Sequence, residues 1–384
     1  MSNVLKQAFD EAAEITRRNI PAFAAAYPDD CTRGERYPSR PVFEEFPVGA
    51  NQGWTTSFVP GMQWLAYEQT GDEVFKTAAL AHAEDFARRV HNREDLHTHD
   101  LGFLYTLASV VPWRLLGEES ARAAALAAAD ALMERFLEPA GVIQAWGALA
   151  DPSQRGRSII DSLMNMPLLS WATEQTGNPK YAEAVRRHTA QLAKHIIRAD
   201  DTTFHTFYWD AETGEPLRGG TAQGAADDSC WARGQAWGIY GFALNYDAVG
   251  DEELLVVARR CADYFLNHLP KDGVPFWDLI FTDGDDEPRD ASAGAIAACG
   301  LQQLARVETD PARAARYEAA GVKMIHGLIA YTPTGKGVAS DALLLHSVYS
   351  KPEGKGVDEG CLWGDYFYLE ALMRHINPDW RRYW

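Results

Sequence analysis

Apolar residues recur along this chain at a period near 3.6. Between 4 and 19 they fall at Val4, Leu5, Phe9, Ala12 and Ile15, and between 73 and 90 at Val74, Phe75, Ala78, Ala81, Phe86 and Val90. That spacing lays one greasy stripe along a helix. The stretch 120–136 is rich in Ala, the strongest helix former. Two-residue alternation is scarce, and short strands are expected only in loops, at 203–209 and 274–278.

A punctuation mark separates the helical stretches. It reads TGDEVF at 70–75, LGEESARA at 116–123, TGNPKYAEA at 176–184, VGDEELLVVA at 249–258 and ETDPARAARYEAA at 308–320. In four of the five a Gly closes one helix and an acidic residue or Asn opens the next. Gly suits the left-handed residue that ends a helix, and Asp or Asn can accept the first unpaired N–H groups of its successor. The marks lie roughly 45 to 75 residues apart, the length of two helices and a long return loop. With a last helix at 363–373 they predict about six helical hairpins. Joined in sequence, these form an all-α (α/α)6 toroid spanning 1–384 as one domain. Its inner helices precede each mark, and its pocket lies where the return loops converge. No βαβ alternation or Pro/Gly/Ser-rich linker divides the chain.

Charge narrows the partners. The formal net charge of −18 argues against nucleic acid or an acidic membrane surface, and it obliges any anionic ligand to find a local cationic pocket. The N-terminus is amphipathic and charged, without a signal peptide's apolar core, and no run reaches the roughly 20 apolar residues of a membrane span. Five scattered cysteines without a CxxC pairing read as free thiols. Together these predict a cytoplasmic protein. Nothing in the chain marks an oligomeric state.

Within RSIIDSLMNMPLLSWA, 157–172, one acid stands among Ile159, Ile160, Leu163, Met164 and Met166. Lost hydration favours the neutral form of Asp161, and a carboxylic acid kept neutral near pH 7 can donate a proton, which makes it a candidate general acid. The competing reading is a helix cap. In THDLGF, Asp100 precedes a helix; beside Asp161 it would raise the pKa of one of the two, and alone it would be another cap. His97 and His99 look like half a metal site, but no matching His or Cys cluster follows. In DDSCWARGQAWGIYGF, 227–242, read as a helix, Arg233 and Trp237 share a face. Arg233 is placed to fork onto a carboxylate and Trp237 to stack on a ring, or the two form a structural cation–π pair. FHTFYWD and the following Gly-rich loop hold His205 and Gln223 in aromatic or small surroundings; the loop lacks the ending of a phosphate loop. Trp54 opens the helical pattern Trp54, Phe58, Gly61, Leu65. Ser350, Lys351 and Lys355 lie in a polar loop before the aromatic last helix. The acidic stretch DGDDEPRD at 283–290 lacks the Gly and final Glu of a calcium loop, and no GxSxG elbow marks a serine hydrolase.

HDLGF, DSLMNMPLL, CWARGQAWG and GVDEGCLWGDYFYLEAL in combination resemble the unsaturated glucuronyl hydrolases, glycoside hydrolase family 88, over about 53–373. The resemblance implies an (α/α)6 barrel that hydrates the C4=C5 double bond which a polysaccharide lyase leaves in a terminal uronic acid. The resulting hemiketal opens and frees the neighbouring sugar. It implies Asp161 as acid and base and Asp100 as the second acid, with Trp54, His99, His205, Gln223, Arg233 and Trp237 around the substrate. Arg233 and His205 would meet its negative charge, and Trp54 and Trp237 would stack on its rings. Ser350 and Lys355 fall where family members that accept sulfate bind it, with Glu353 between them to oppose it. No metal or organic cofactor is implied. The unsaturated rhamnogalacturonyl hydrolases share the fold and reaction, but HDLGF and WARGQAW favour the first family. A polysaccharide lyase needs a Tyr/His or Arg/Asn arrangement that these stretches do not assemble, and a non-catalytic toroid leaves Asp161 unexplained.

Overall fold

The computed structural model describes residues 2–384 and is a closed ring of helices. Six inner helices surround the axis: Phe58–Thr70; Leu101–Tyr105, continued through a π-helical turn Thr106–Val110 into Val111–Leu116; Met166–Thr176; Ala232–Val249; Ala291–Val307; and Leu362–Ile376. Six outer helices back them, at Ser2–Ala25, Glu73–His91, Glu119–Met133, Pro179–His195, Glu252–Asn267 and Pro311–Ile329. This is the (α/α)6 toroid that the hairpin marks predicted. At four marks the Gly is left-handed, with φ from 68° to 75° at Gly71, Gly117, Gly177 and Gly250, the conformation glycine adopts without strain. Asp72, Asn178, Asp251 and Asp310 then accept a backbone N–H at the start of the following helix.

The count of six comes about differently from the expectation. Five hairpins follow one another in sequence, and the sixth pair joins the first helix to the last. Leu5, Phe9, Ala12 and Ala13 are buried in the same core as the inner helix Leu362–Ile376. Two other boundaries moved. The helix containing Arg233 begins at Ala232 rather than at 227, and Trp54 lies in the turn before the helix that starts at Phe58. Of the expected strands, Thr206–Trp209 pairs with Arg157–Ile159 on one side and Pro216–Gly220 on the other. The stretch 274–278 makes only isolated bridges at Phe276 and Asp278.

The hairpins Phe136–Leu137/Val142–Ile143 and Ser347–Ser350/Lys355–Glu359 decorate other return loops. All return loops enter at the N-terminal ends of the inner helices, so one end of the ring is built from loops. The axis is filled with aromatic rings: Phe103 lies 5.4 Å from Trp237 and 5.7 Å from Trp384, and Trp237 lies 5.2 Å from Phe367. All five cysteines are free and buried, and no helix among the described residues is long and apolar enough to cross a membrane.

Candidate active site

The segments just before the inner helices bring the two acids together. His99 and Asp100 end the loop leading to Leu101, and Asp161 sits in the 3-10 turn Ile160–Met164 that leads to Met166. The His99 Nε2 lies 3.3 Å from Asp100 Oδ1 and 3.5 Å from Asp161 Oδ1. Neither acid caps a helix with its side chain, which removes the competing reading of both. Asp100 accepts the Thr98 hydroxyl at 2.6 Å, whereas Asp161 Oδ1 has no hydrogen-bond partner.

The environment sets the two acids apart. Each carboxyl group keeps only a narrow opening to solvent, 15% exposed at Asp161 and 16% at Asp100. Burial, then the nearby charge of Asp100, pushes Asp161 well above the usual carboxylate range, against a smaller opposing pull from Arg233. Burial also raises Asp100, but Thr98, Arg135 and Arg89 hold it to about 6. Near neutral pH, therefore, Asp100 is the charged member and Asp161 keeps its proton. His99 is 2% exposed, and burial and Arg135 hold its pKa down at about 3, so it is a neutral hydrogen-bonding group.

His99, Asp100 and Asp161 also place one nitrogen and two oxygens within 4.8 Å of one another, the grouping that can hold a cation. The His97-x-His99 half-site does not contribute to it, since His97 is exposed and outside the cluster.

The remaining expected residues fall at the same end of the ring, several with altered roles. Arg233 is enclosed, and its guanidinium is committed to protein acceptors. It meets Asp290 Oδ2 at 3.1 Å, Gln223 Oε1 at 2.6 Å, the Tyr349 carbonyl at 2.7 Å and the carbonyl of Val348. It also lies over the rings of Trp231 and Trp363, 4.4 and 5.0 Å from their centroids. The fork onto a carboxylate is thus single-pronged, and the expected cation–π partner Trp237 is replaced by these two rings. Trp237 is 1% exposed among Phe103 and Phe367; it is the floor of the site, not an open stacking face. Trp54 is half-buried and donates to the Tyr349 hydroxyl at 3.0 Å. His205 is not the cation expected of it: burial, then Arg233, pushes its pKa to about 3. Its Nδ1 is 2.6 Å from the Thr206 hydroxyl, and its Nε2 is buried without a partner. Lys355 donates to Asp30 at 2.9 Å and covers the Tyr349 ring, so it is a neutralised cation. Ser350 is buried with its hydroxyl unpaired.

Sequence reading missed four contributors. Asp290, at the end of the acidic stretch set aside as a failed calcium loop, is fully buried and anchors Arg233 while capping Ala291–Val307. Tyr349 holds Trp54. Thr98 and the buried Arg135 tune Asp100. The position of Thr98 two residues before an acid was the one local signal available; the other three reach the site from distant segments.

Positive potential has a further source. Six inner helices present their N-terminal ends toward the loop end of the ring, where the helix dipoles favour negative charge. The puzzle set by the net charge of −18 is thereby answered in part by backbone.

A helical toroid with a protonated and an ionised carboxyl side by side at its mouth is the layout of a carbohydrate-cleaving hydrolase, whose chemistry runs on paired acids. The chain belongs to Glycosyl Hydrolase Family 88, which it matches over residues 31–366, and it is a glycoside hydrolase. It is 46% identical to the unsaturated chondroitin disaccharide hydrolase of Streptococcus agalactiae, over 91% of this chain and 88% of that one. It is 42% identical to the unsaturated glucuronyl hydrolase of Bacillus sp. strain GL1, over 96% of each. The crystal structure of the S. agalactiae unsaturated glucuronyl hydrolase superposes with a TM-score of 0.94 at 44% identity, covering 100% of this chain and 94% of that one. A mutant of that enzyme complexed with dGlcA-GalNAc6S superposes at 0.86, with 41% identity and coverage of 100% and 94%.

Proposed function

We propose that this enzyme removes the Δ4,5-unsaturated uronic acid from the non-reducing end of lyase-generated glycosaminoglycan disaccharides, with Asp161 as acid and then base. The observation that carries the reading is the pair of buried acids brought together on one neutral imidazole, in which burial and the charge of Asp100 keep the proton on Asp161. Relatives named for unsaturated chondroitin disaccharides support the substrate class.

The steps follow from that state. The Asp161 carboxyl gives its proton to C4 of the enol ether, and positive charge develops at C5 and the ring oxygen. Water adds to C5 and returns a proton to the Asp161 carboxylate. The hemiketal opens to a C5 ketone, C1 becomes an aldehyde, and the linked sugar leaves with its hydroxyl restored. Asp100, ionised and fixed by Thr98, binds substrate hydroxyls and keeps Asp161 protonated. His99 and His205, both neutral, offer ring nitrogens to hydroxyls or the carboxylate. Gln223 is held by Arg233 for the same work, and Trp54 is the accessible ring against which a sugar stacks.

Lys355 and Lys351 reduce the case for a strong sulfate site, since the first is paired with Asp30 at 2.9 Å and the second lies 3.5 Å from Glu287. The unpaired Ser350 hydroxyl supplies one donor. The reading is tested with unsaturated chondroitin disaccharides, with and without 6-sulfate, by following the ultraviolet absorbance of the conjugated double bond. Absorbance falls with either substrate, with kcat/KM within about tenfold between the two, a difference of at most about 1.4 kcal/mol. A rise in absorbance, or no change, rejects the hydration reading.

A further inference from the structure

Behind Asp161 lies an imidazole that touches neither acid. His188 belongs to the outer helix Pro179–His195 and is completely enclosed. Its Nδ1 accepts the backbone N–H of Ile143 at 3.0 Å. Burial keeps the ring neutral, and a neutral imidazole has one accepting and one donating nitrogen. Nε2 therefore carries the hydrogen and donates to Ser162 Oγ, 2.8 Å away. Ser162 in turn donates to the Ile159 carbonyl at 2.6 Å. Ile159 and Ser162 bracket Asp161, so this chain of bonds grips the turn that carries the acid.

The other end of the ring grips the second acid's support. Ile143 closes the strand Val142–Ile143. One residue on, the Gln144 carbonyl accepts Arg135 Nε at 2.9 Å. At the next residue, the Ala145 carbonyl accepts the N–H of His99, also at 2.9 Å. One side chain on an outer helix thus joins the segment holding Asp161 to the segment holding His99 and Asp100.

We propose that His188 is a positioning residue for the hydration reaction, holding the two acid-bearing segments at the separation that lets Asp161 and Asp100 share His99. The proposal rests on Asp161 being the acid. Asp161 faces Asp100 and His99 from the loop before Leu101 and Arg233 from Ala232–Val249; the charged or titratable group that bears on His188 is His99. If the two segments drift apart, Asp161 feels less of the Asp100 charge and more water, and releases its proton at lower pH.

The test compares His188→Leu, His188→Gln and Ser162→Ala with His82→Leu. The last removes another buried imidazole from an outer helix, one bonded to the Tyr27 hydroxyl at 3.0 Å and absent from the bonds that hold the two acid-bearing segments. His188→Leu is expected to lower kcat about 10- to 100-fold with KM within about twofold, and to move the basic limb of kcat/KM to lower pH. Ser162→Ala follows in the same direction. His188→Gln keeps an N–H for Ser162 and restores most of kcat. His82→Leu loses stability but keeps kcat and the pH limb. The proposal is overturned if folded His188→Leu and Ser162→Ala keep wild-type kcat and limb, or if His82→Leu loses as much. Should His188→Leu not fold, Ser162→Ala decides alone. Asp161→Asn run in parallel separates the two readings. If it retains turnover, the acid assignment fails and takes this proposal with it; if it is dead while the His188 and Ser162 variants are normal, only the positioning role falls.

Discussion

Replacing Asp100 by Asn removes one charge from the site while keeping its volume and the oxygen that accepts from Thr98. The acid oxygens of Asp100 and Asp161 lie no more than 4.8 Å apart. Two unit charges at that distance repel by about 3.5 kcal/mol at an effective dielectric constant near 20, and by about 0.9 kcal/mol in bulk water. At about 1.4 kcal/mol per unit, those limits are about 2.5 and about 0.6 pKa units. Both side chains keep a narrow opening to water, so the shift falls between them. Above about pH 6 Asp100 is charged, and that is where the basic limb is read. The limb of kcat/KM, which reports the free enzyme, is expected to move down by about 1 to 2 pH units in Asp100→Asn, whatever happens to the absolute rate. Initial rates of double-bond loss across pH measure it. A limb that stays in place, or moves up, refutes the idea that Asp100 keeps the proton on Asp161.

Other substitutions probe different parts of the argument. Asp161→Asn is expected to cut turnover by about 10³-fold or more while binding, followed by calorimetry, persists. The same variant is expected to resist urea better than wild type at neutral pH. Burial raises the folded pKa of Asp161, so from the unfolded value of about 3.9 upward the native state holds a proton the unfolded chain has released. Native stability is then lost as pH rises through the folded pKa, and the advantage of Asn vanishes near pH 3–4. Arg233→Leu leaves Asp290 buried without its cation and releases Gln223 and the 348–349 backbone; a loss of about 3–5 kcal/mol in urea unfolding is expected. Gly102→Ala places a methyl 2.2 Å from the Asn165 Cα, which forces apart the two helix starts that carry the acids. Loss of both activity and thermal stability is expected, read by the ultraviolet assay and calorimetry.

Much of this was legible in the chain. Local rules act within a few residues, so the period of 3.6, the left-handed Gly and the capping Asp or Asn marked the hairpins and their number. An acid ringed by Ile, Leu and Met is likewise a local signal, and it pointed at Asp161. The resemblance implied that Asp100, His99 and Gln223 share one pocket. Other elements of the reading depended on partners that a sequence does not bring together. The local pattern offers Arg233 a carboxylate fork or the Trp237 ring and not its actual acceptors, because those four lie 10 to more than 100 residues away. For His205 it is only the resemblance that implies a partner for negative charge, and nothing in FHTFYWD shows that Trp231 packs on it and that burial and Arg233 keep it neutral. Trp237 has the residue type of a stacking platform and the burial of a core residue.

The alternation of greasy and polar positions, with its glycine stops, was enough to determine the ring of helices and the one carboxyl robbed of water, because both follow from the preferences of short stretches. Only the closed ring decided which charges survive. Protonation and pairing depend on distance through space, and the contacts that set them, His99 between two acids and Asp290 on Arg233, exist only once the inner helices have packed side by side.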